Sequence, residues 1–380
     1  MPPTPFEIRA DDAALADLQW RLRHARIPPT LPDMGWNYGP DRTYMESFVA
    51  YWRDAYDWRA QESVLNRWPQ YLVPIEGTPI HFLHARSAHA DALPLMLTHG
   101  WPGTTHEFHA VIDPLVAPEK YGGDPRDAFH VVCPAIAGYG WSGAVPNPGC
   151  DVKCIALRQV ALMEALGYAR YGVQGGDWGA VISSYMALEA PTRVVGVHLN
   201  MCPAPSTSDP AEAKAHGVVP GRSAMIEAYA REMKGYAVLQ SLKPDQLAFA
   251  LNDSPIGLAA WILYSHYLWG DIRGDLESRF DKDYLITTTM IYWLTQSMPS
   301  AIRLYRESYL ARRFGPPEAY VQVPVGVAMF RDLARPKRHW AERVYNIVHW
   351  REYAQGGHFA AVEEPATLVA DIREFFRRLR

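Results

Sequence analysis

The most constraining feature of this sequence is a short stretch in which small residues surround one carboxylate. The stretch reads Gly175-Gly176-Asp177-Trp178-Gly179-Ala180, and the apolar run Tyr171-Gly172-Val173 leads into it. This pattern predicts a strand, a sharp turn and a helix, because a strained apex residue requires small residues two positions before it and two and three positions after it. The apex side chain is then exposed at the carboxyl edge of a sheet, where α/β folds place their ligands.

The residue at this apex is Asp177 rather than a serine. A serine needs a general base to remove its proton, whereas an Asp carboxylate, with a reference pKa near ~3.9, is ionised at neutral pH and can attack unaided. Attack on an acyl carbonyl would give only an anhydride, but attack on a strained or activated saturated carbon gives an alkyl ester that water can cleave. We therefore expect Asp177 to be a nucleophile towards an epoxide or an alkyl halide, rather than a simple helix cap.

Predicted strands and helices alternate on both sides of this turn. Strands are expected at 71–76, 80–85, 95–97, 129–133, 194–199, 325–330 and 347–350, with a closing helix at 365–379. Alternation of this kind predicts an α/β fold with a mainly parallel sheet and helices on both faces. Between 201 and 321 helical periodicity dominates, for example at 256–268 and 285–310, which predicts a helical lid inserted between two strands.

The segment before the first predicted strand is rich in Pro, Gly and aromatic residues, and an amphipathic helix is expected at 44–58. Its aromatic side chains need cover, which indicates an ordered N-terminal meander rather than a linker. The chain is therefore expected to divide into an N-terminal segment (1–72) that packs on lid and core, a core (73–200 and 322–380) and a lid (201–321).

Charge and hydropathy exclude several kinds of partner. The formal net charge is −4 and no basic stripe stands out, so no nucleic acid or anionic membrane is expected as a partner. No apolar run approaches the roughly 20 residues that cross a bilayer, and the first residues lack the pattern of a signal peptide, so a cytoplasmic protein is expected. With 13 Trp and 21 Tyr residues, an apolar pocket for a small molecule is expected. The sequence allows a homo-oligomer.

The cysteines and histidines suggest no metal site. Cys133, Cys150, Cys154 and Cys202 contain no pair spaced by two residues, so free thiols are expected. The run His106-Glu107-Phe108-His109 lacks the spacing of a zinc-protease helix. We expect neither a metal nor a cofactor. Gly140-Trp141-Ser142-Gly143 only loosely resembles a serine turn, because its second Gly comes one residue too early.

An ester on Asp177 needs a base that activates water. His358 lies between the glycines of Gln355-Gly356-Gly357 and the final helix, after the last predicted strand, and its reference pKa near ~6.5 suits a base. The acid that orients it is expected after the preceding strand, which gives Asp332. An ion pair of Asp332 with Arg331, Arg335 or Lys337 is the alternative. Glu363 and Glu364 are rivals for the acid, but they precede Pro365 and are expected to serve the helix that follows.

An oxyanion formed during ester hydrolysis needs hydrogen-bond donors. His99-Gly100-Trp101-Pro102-Gly103 follows the strand at 95–97, at the position that supplies half of an oxyanion hole in folds of this architecture. The other half is the backbone N–H after the nucleophile. We therefore expect Trp101 and Trp178 to donate their main-chain N–H groups, with their rings as walls of the pocket.

The sequence resembles the epoxide hydrolases of the microsomal type, within the α/β-hydrolase superfamily. The likeness covers nearly the whole chain and is carried by Tyr56-Asp57-Trp58-Arg59 with Leu65-Asn66-Arg67-Trp68-Pro69-Gln70, by His99-Gly100-Trp101-Pro102-Gly103, by the Asp177 turn and by Gly356-Gly357-His358-Phe359-Ala360-Ala361. The first of these belongs to the family's N-terminal segment, which haloalkane dehalogenases lack. Phe330-Arg331-Asp332 is one residue shorter than the family's usual acid loop.

The resemblance implies an α/β-hydrolase fold and hydrolysis of a small apolar epoxide by water to a vicinal diol. It also implies that two lid tyrosines hold and protonate the epoxide oxygen, and Tyr236 and Tyr305 match them. A phenol with a reference pKa near ~10 is a proton donor at neutral pH. Two other hypotheses stay open at this point, a dehalogenase that uses the same Asp177 and a binding protein that retains the hydrolase pocket.

Overall fold

The computed structural model describes residues 2–205, 207, 209–215, 234–332 and 335–380. They contain one nine-stranded sheet with the order β1-β2-β3-β5-β4-β6-β7-β8-β9. The strands are β1 (Thr4–Phe6), β2 (Gln70–Ile75), β3 (Thr78–Ala85), β4 (Leu93–Thr98), β5 (Phe129–Pro134), β6 (Tyr171–Gly175), β7 (Val194–Leu199), β8 (Val321–Met329) and β9 (Tyr345–Glu352). The pairs from β5 through β4 to β9 are parallel, and only the edge formed by β1, β2 and β3 is antiparallel. The prediction of a mainly parallel sheet is confirmed.

Helices precede the sheet, connect its strands and form the insertion between β7 and β8. The first group and the connecting helices are α1 (Asp12–Arg23), α2 (Arg42–Asp54), α3 (Trp58–Leu65), α4 (His109–Val116), α5 (Val152–Ala165) and α6 (Asp177–Glu189). The insertion contains α7 (Pro210–Ala215), α8 (Lys234–Leu242), α9 (Pro244–Asp253), α10 (Pro255–Trp269), α11 (Lys282–Thr295) and α12 (Met298–Leu310). After β8 come α13 (Arg338–Ala341), α14 (Ala360–Glu363) and α15 (Pro365–Phe376).

Two helices that periodicity predicted as continuous are each broken. The helix expected at 44–58 ends with α2, and α3 starts anew because the Asp57 side chain accepts the N–H groups of Arg59 and Ala60 as an N-terminal cap. The helix expected at 285–310 is interrupted at Gln296, whose φ of 51° is left-handed. Pro299 then lies in the first turn of α12, where its missing N–H costs nothing.

The N-terminal segment contacts both the sheet and the lid. Its strand β1 pairs antiparallel with β2, in the register Thr4 to Leu72. On the lid side, the Tyr51 hydroxyl donates to Asp283 Oδ1 at 2.8 Å, and the Tyr56 and Thr287 hydroxyls lie 2.9 Å apart. Both lid partners are on α11. The division of the chain into three units stays a prediction, but the segment is tied to both of its neighbours.

The prediction of four free thiols is wrong for two of them. Cys150 and Cys154 form a disulfide at the start of α5, whereas Cys133 and Cys202 are free and buried. The Asp151 carboxylate caps the helix by accepting the Cys154 N–H at 3.0 Å. Cys150 precedes the helix and its N-cap residue Asp151, and the turn of the chain into α5 brings its sulfur to that of Cys154 in the first helical turn. The search for a two-residue spacing missed this pair.

Within the described ranges, no single helix has the length and apolar character needed to cross a membrane. Only α9 and α10 taken together would meet those two criteria, and they are bent by 118° at Ser254, between them.

A buried polar cluster joins strands β7 and β9 to the final helix, α15. The Asp371 carboxylate of α15 accepts hydrogen bonds from His198 Nε2 and His349 Nε2, both at 2.9 Å, and from the Tyr353 hydroxyl. The side chains of Asp371 and His198 have no exposed surface. Burial opposes ionisation, but these hydrogen bonds outweigh it and lower the pKa of Asp371 below its usual range. The cluster therefore holds a carboxylate that is charged in the folded protein.

We predict that Asp371→Asn lowers the free energy of unfolding by about 2–3 kcal/mol at pH 7, because hydrogen bonds to a buried charge are lost. Since the folded-state pKa is depressed, this contribution is present above the unfolded pKa near ~3.9 and is lost as the pH falls below it. Urea denaturation between pH 3 and pH 7 measures both effects.

The matched control is Glu342→Gln, which removes the exposed i,i+4 pair of Arg338 with Glu342. It should change the free energy of unfolding by less than ~0.5 kcal/mol. Equal losses of unfolding free energy in the two variants would contradict the assignment of Asp371 as a buried charged group. So would a pH dependence of stability in Asp371→Asn that equals that of the unmodified protein.

Candidate active site

The turn between β6 and α6 has the geometry that its small residues predict. Asp177 has a φ of 48°, the left-handed region that side chains other than glycine rarely adopt. A Cβ on Gly175 would lie 2.3 Å from the carbonyl group of Gly179, and a Cβ on Gly179 would lie 1.9 Å from the Thr98 carbonyl oxygen. Only glycine fits at these two positions, because α6 starts directly against β6 and the end of β4.

The Asp177 carboxylate is held at both oxygens. The backbone N–H of Trp101 donates to Oδ1 at 2.9 Å, and His358 Nε2 lies 3.4 Å from Oδ2. A Cβ on Gly100 would lie 2.3 Å from Oδ1 of Asp177, so a glycine is required where the loop after β4 passes the carboxylate. With 19% of its side chain exposed, Asp177 stays accessible to a small molecule.

Asp332 contacts His358 in spite of the shorter loop. The distance from His358 Nδ1 to Asp332 Oδ1 is 2.8 Å, and the Asp332 side chain is fully buried. Arg331, which could have paired with Asp332, instead donates to Asp271 Oδ1 at 3.1 Å. The structure therefore brings Asp177, His358 and Asp332 together in the order that a nucleophile, a base and an acid require.

His358 lies between two carboxylates beneath the surface of the protein. Burial opposes protonation of the imidazole, but the charges and hydrogen bonds of Asp332 and Asp177 outweigh burial and hold the pKa of His358 well above its usual range. The contacts with the two carboxylates therefore favour the protonated form of the imidazole.

Trp101 and Trp178 lie where an oxyanion hole is expected. The Trp101 N–H already points at Asp177 Oδ1, at 2.9 Å. Trp178 is in the first turn of α6, where backbone N–H groups have no acceptor within the helix. The Trp101 ring is fully buried, and its Nε1 donates to Met298 Sδ at 3.4 Å, which fixes the loop against the lid.

The two lid tyrosines lie above this site with their rings in contact. Tyr236, on α8, stacks on the Trp101 ring with the centroids 5.2 Å apart, and Tyr305, on α12, meets the Trp178 ring edge-on at 4.8 Å. The centroids of the two tyrosine rings are 5.8 Å apart. All seven residues predicted for the site are therefore found together. Their roles stay predictions.

Sequence reasoning missed two further aromatic walls. Trp269, at the end of α10, lies 5.0 Å from the Tyr236 ring and 5.2 Å from the His358 ring between centroids. Phe314 contacts the rings of Trp178 and Tyr305 at 4.9 and 5.6 Å. Neither residue lies in a motif, since both reach the site from the lid through the fold alone.

A third carboxyl group near the site was also missed. Oε2 of Glu107 packs so closely on Gly103 that a Cβ there would lie 2.0 Å from it. Burial raises the pKa of Glu107 to about 8, with the charge of His358 opposing this shift and that of Asp177 adding to it. Part of the side chain keeps accessible surface, although the residue lies deep in the protein. At neutral pH most of Glu107 is therefore uncharged.

The remaining candidates have other contacts. Glu364 pairs with Arg279 at 2.9 Å, and the Glu363 carboxylate accepts backbone N–H groups, so neither contacts His358 as an acid. The Ser142 hydroxyl donates to the Ala135 carbonyl and accepts the His81 N–H, which gives it a structural role. In the described part of the chain, no group of three or more His, Cys, Asp or Glu residues is placed to hold a metal.

Comparison with known proteins agrees with this geometry. Residues 3–108 match the family described as "Epoxide hydrolase N terminus", and residues 94–235 match "alpha/beta hydrolase fold". Epoxide hydrolase 1 of Sus scrofa is 34% identical, over 98% of this chain and 88% of the pig protein. The crystal structure of juvenile hormone epoxide hydrolase from the silkworm Bombyx mori has a TM-score of 0.87 at 32% identity, covering 100% of this chain and 94% of the silkworm chain. Aspergillus niger epoxide hydrolase has a TM-score of 0.87 at 31% identity, covering 100% and 97%.

The mainly parallel sheet and the left-handed turn after β6 define an α/β hydrolase, and the residue at that turn is Asp177. Together with the near full-length identities, they show that the chain belongs to the epoxide hydrolase family. The fold and the family expected from the sequence are confirmed.

The contact of Asp332 with His358 generates a prediction. Replacing Asp332 by Asn keeps the shape of the side chain but removes the charge that orients the imidazole, so turnover should fall by about 10³–10⁴-fold. Steady-state kinetics on an aryl epoxide measures this loss. Glu364→Gln is the control, because this rival carboxylate pairs with Arg279 instead and its loss should change turnover less than ~3-fold. A large loss of turnover in Glu364→Gln, with little change in Asp332→Asn, would show that Glu364 rather than Asp332 is the acid.

Proposed function

We propose that this epoxide hydrolase opens its substrate through a covalent ester on Asp177. One observation carries the proposal: the carboxylate at the left-handed turn has Oδ1 on the Trp101 N–H and Oδ2 facing His358, beneath Tyr236 and Tyr305. The hydrogen bond to Oδ1 orients the carboxylate so that Oδ2 is the attacking atom.

In the first step, Asp177 Oδ2 attacks one ring carbon of the epoxide. A carbon–oxygen bond forms, the ring carbon–oxygen bond breaks, and its electron pair stays on the epoxide oxygen. A phenol of Tyr236 or Tyr305 donates a proton to that oxygen as charge develops. The product of this step is a hydroxyalkyl ester of Asp177, and the chain needs no cofactor for it.

The proton that His358 holds in the resting enzyme passes to the tyrosinate left by the first step, which restores the phenol and leaves the imidazole neutral. In the second step, the neutral His358 takes a proton from a water molecule whose oxygen attacks the ester carbon, Cγ of Asp177. Negative charge collects on Oδ1, where the N–H groups of Trp101 and Trp178 can stabilise it. The ester bond then breaks with its electron pair on the leaving oxygen, that oxygen takes the second proton of the attacking water, and the diol leaves as the carboxylate is restored. One of its oxygens now comes from water.

The two carboxylates beside His358 determine the reaction step at which His358 acts as a base. While Asp177 is ionised, it helps to keep the imidazole protonated. Once Asp177 is an ester it carries no charge, so only Asp332 remains to stabilise the imidazolium, and the pKa of His358 falls. Formation of the ester therefore turns His358 into a better base at the step that needs one.

The rings around Asp177 support a small apolar epoxide as the substrate. Trp101, Trp178, Trp269, Tyr305 and Phe314 offer aromatic surface, and the tyrosine hydroxyls are the polar groups suited to an epoxide oxygen. The pairing of Tyr236 with Tyr305 over the nucleophile favours an epoxide over an alkyl halide, whose halide ion leaves without a proton.

Location and assembly remain proposals. The charge and hydropathy of the sequence support a cytoplasmic enzyme, but the Cys150–Cys154 disulfide is more typical of an oxidising compartment. Alkylation of thiols in intact cells, read by the mass of the purified chain, distinguishes the two. Light scattering from the purified enzyme measures whether the chain forms a homo-oligomer.

One turnover in heavy-oxygen water tests the covalent route. With enzyme in excess over an aryl epoxide, the label should enter the Asp177 carboxylate, as seen in the mass of the peptide that contains it, and the first diol should be unlabelled. His358→Gln should slow ester hydrolysis by about 10²–10⁴-fold, because general base catalysis is lost, so the intact chain should gain the mass of the substrate. Asp177→Ala is the control that cannot form the ester. Label found only in the diol would rule out the covalent route.

The lid tyrosines are tested by removing both hydroxyls. In the Tyr236→Phe/Tyr305→Phe variant, ester formation should slow by about 10²–10⁴-fold, because the leaving oxygen loses its proton donors. Stopped-flow tryptophan fluorescence follows this step. Tyr309→Phe is the matched control, since Tyr309 lies on the same helix with 50% of its surface exposed. Unchanged ester formation in the double variant would instead favour chemistry that needs no proton donor, such as halide displacement.

A further inference from the structure

In the loop that carries His358, the four consecutive backbone N–H groups from Gly356 to Phe359 are each bound by a group outside the loop. Gly356 N–H donates to Asp271 Oδ2 at 3.1 Å, and Gly357 N–H donates to Glu363 Oε2 at 2.8 Å. His358 N–H donates to the Trp269 carbonyl at 3.0 Å, and Phe359 N–H donates to Glu363 Oε1 at 2.9 Å. Four consecutive N–H groups therefore depend on three residues.

Two of these three residues belong to the lid. Trp269 is the last residue of α10, and Asp271 follows it two positions later. The contact between the two backbones is close, because a Cβ on Gly357 would lie 2.6 Å from both the Trp269 carbonyl oxygen and the Asp271 nitrogen. A glycine is therefore required at position 357, because the lid backbone leaves no room for a side chain there.

Glu363 joins the lid to the His358 loop. Its Oε2 accepts the Asp271 N–H at 2.7 Å as well as the Gly357 N–H, so a single oxygen connects the two segments. The residue is buried, with 6% of its surface exposed. A buried carboxylate with three backbone donors fixes its partners closely, because any displacement leaves a buried polar group without a partner.

The Asp271 carboxylate also contacts three arginine side chains. Arg331 Nη1 lies 3.1 Å from Oδ1, and Arg279 and Arg273 lie 3.7 and 3.9 Å from Oδ2. Arg331 is also the residue next to Asp332, and its backbone N–H donates to the Gly356 carbonyl at 2.8 Å. The acid loop, the His358 loop and the lid end are thus connected to one another.

We propose that Glu363 is a positioning residue for His358 and that, with Asp271, it makes the orientation of the base depend on the lid. The inference rests on the proposed function, because it assumes that His358 activates the water. A lid end displaced from the loop would release the N–H groups of Gly356 and His358, and the imidazole would lose its alignment with the ester. The chemistry of the second step is then available only when the lid is in place.

The two chemical steps separate this role from a merely structural one. Ester formation uses the charge already present on Asp177 and the lid phenols, whereas ester hydrolysis needs His358. A positioning residue for His358 should therefore slow hydrolysis and leave ester formation unchanged. A residue that only stabilises the fold would lower the melting temperature and affect both rates alike, or neither.

The experiment measures both rates by stopped-flow and quenched-flow mass spectrometry in the full-length enzyme. In Glu363→Gln one oxygen still accepts hydrogen bonds but an NH₂ group faces a backbone donor, so hydrolysis should fall about 10-fold. In Glu363→Ala all three hydrogen bonds are lost, and hydrolysis should fall about 100-fold or more. Ester formation should stay within ~2-fold in both, and the ester should accumulate.

Asp271→Asn tests the lid side independently and should slow hydrolysis in the same direction, which keeps the test decisive if Glu363→Ala does not fold. Glu374→Gln is the matched control, because this carboxylate pairs with Arg351 on the surface, away from the loop. Hydrolysis at the wild-type rate in Glu363→Gln and Asp271→Asn, or equal losses in both steps, would overturn the proposal. Failure of the proposed function itself would look different, since no ester would then form in the unmodified enzyme.

Discussion

The structure depends on how closely three backbone segments approach at Asp177. The strand β6, the first turn of α6 and the loop after β4 meet where Gly175, Gly179 and Gly100 carry no side chain, and any Cβ at these positions would overlap a neighbour. This contact forces Asp177 into a left-handed conformation and brings the Trp101 N–H to its carboxylate. The strain is local, and it is held by a parallel sheet whose central strands are buried on both faces. The position of Asp177 is therefore a consequence of backbone packing rather than of side-chain flexibility.

Asp177 and Asp332 differ in exposure and in distance from His358, and in the proposed mechanism this difference gives the two acidic residues different roles. Asp332 is fully buried and binds Nδ1, whereas Asp177 keeps accessible surface and faces Nε2 at a longer distance. Only the exposed carboxylate can meet a substrate, and only its charge can be removed by forming an ester. The buried carboxylate stays in contact with Nδ1 and keeps the imidazole oriented. The same pair of contacts thus holds the resting enzyme in one protonation state and allows another after the first step.

The sequence could predict those parts of the site whose requirements are local. The small residues around Asp177, the glycines before His358 and the loop at Trp101 each lie within a few residues of the group that they position, so their spacing carries the information. The break at Gln296 was missed because no glycine marks its left-handed backbone. The Cys150–Cys154 pair was missed because the turn that enters α5, rather than a metal motif, brings the sulfurs together. Asp271 and Glu363 were out of reach of such reasoning, because 92 residues separate the donor from the acceptor.

In the proposed mechanism the lid is more than a cover, because each of its contacts with the site has a separate chemical consequence. Tyr236 and Tyr305 place phenols above the nucleophile, and Trp269 contributes an aromatic wall and a carbonyl that binds the His358 N–H. A lid that supplied only the phenols could open between steps without disturbing the base. A lid whose end also binds the backbone at Gly356 and His358 has to stay in place until water has attacked. In the proposed mechanism, retention of the lid through both steps also keeps bulk water away from the ester, so the water that reacts is the one that His358 can reach.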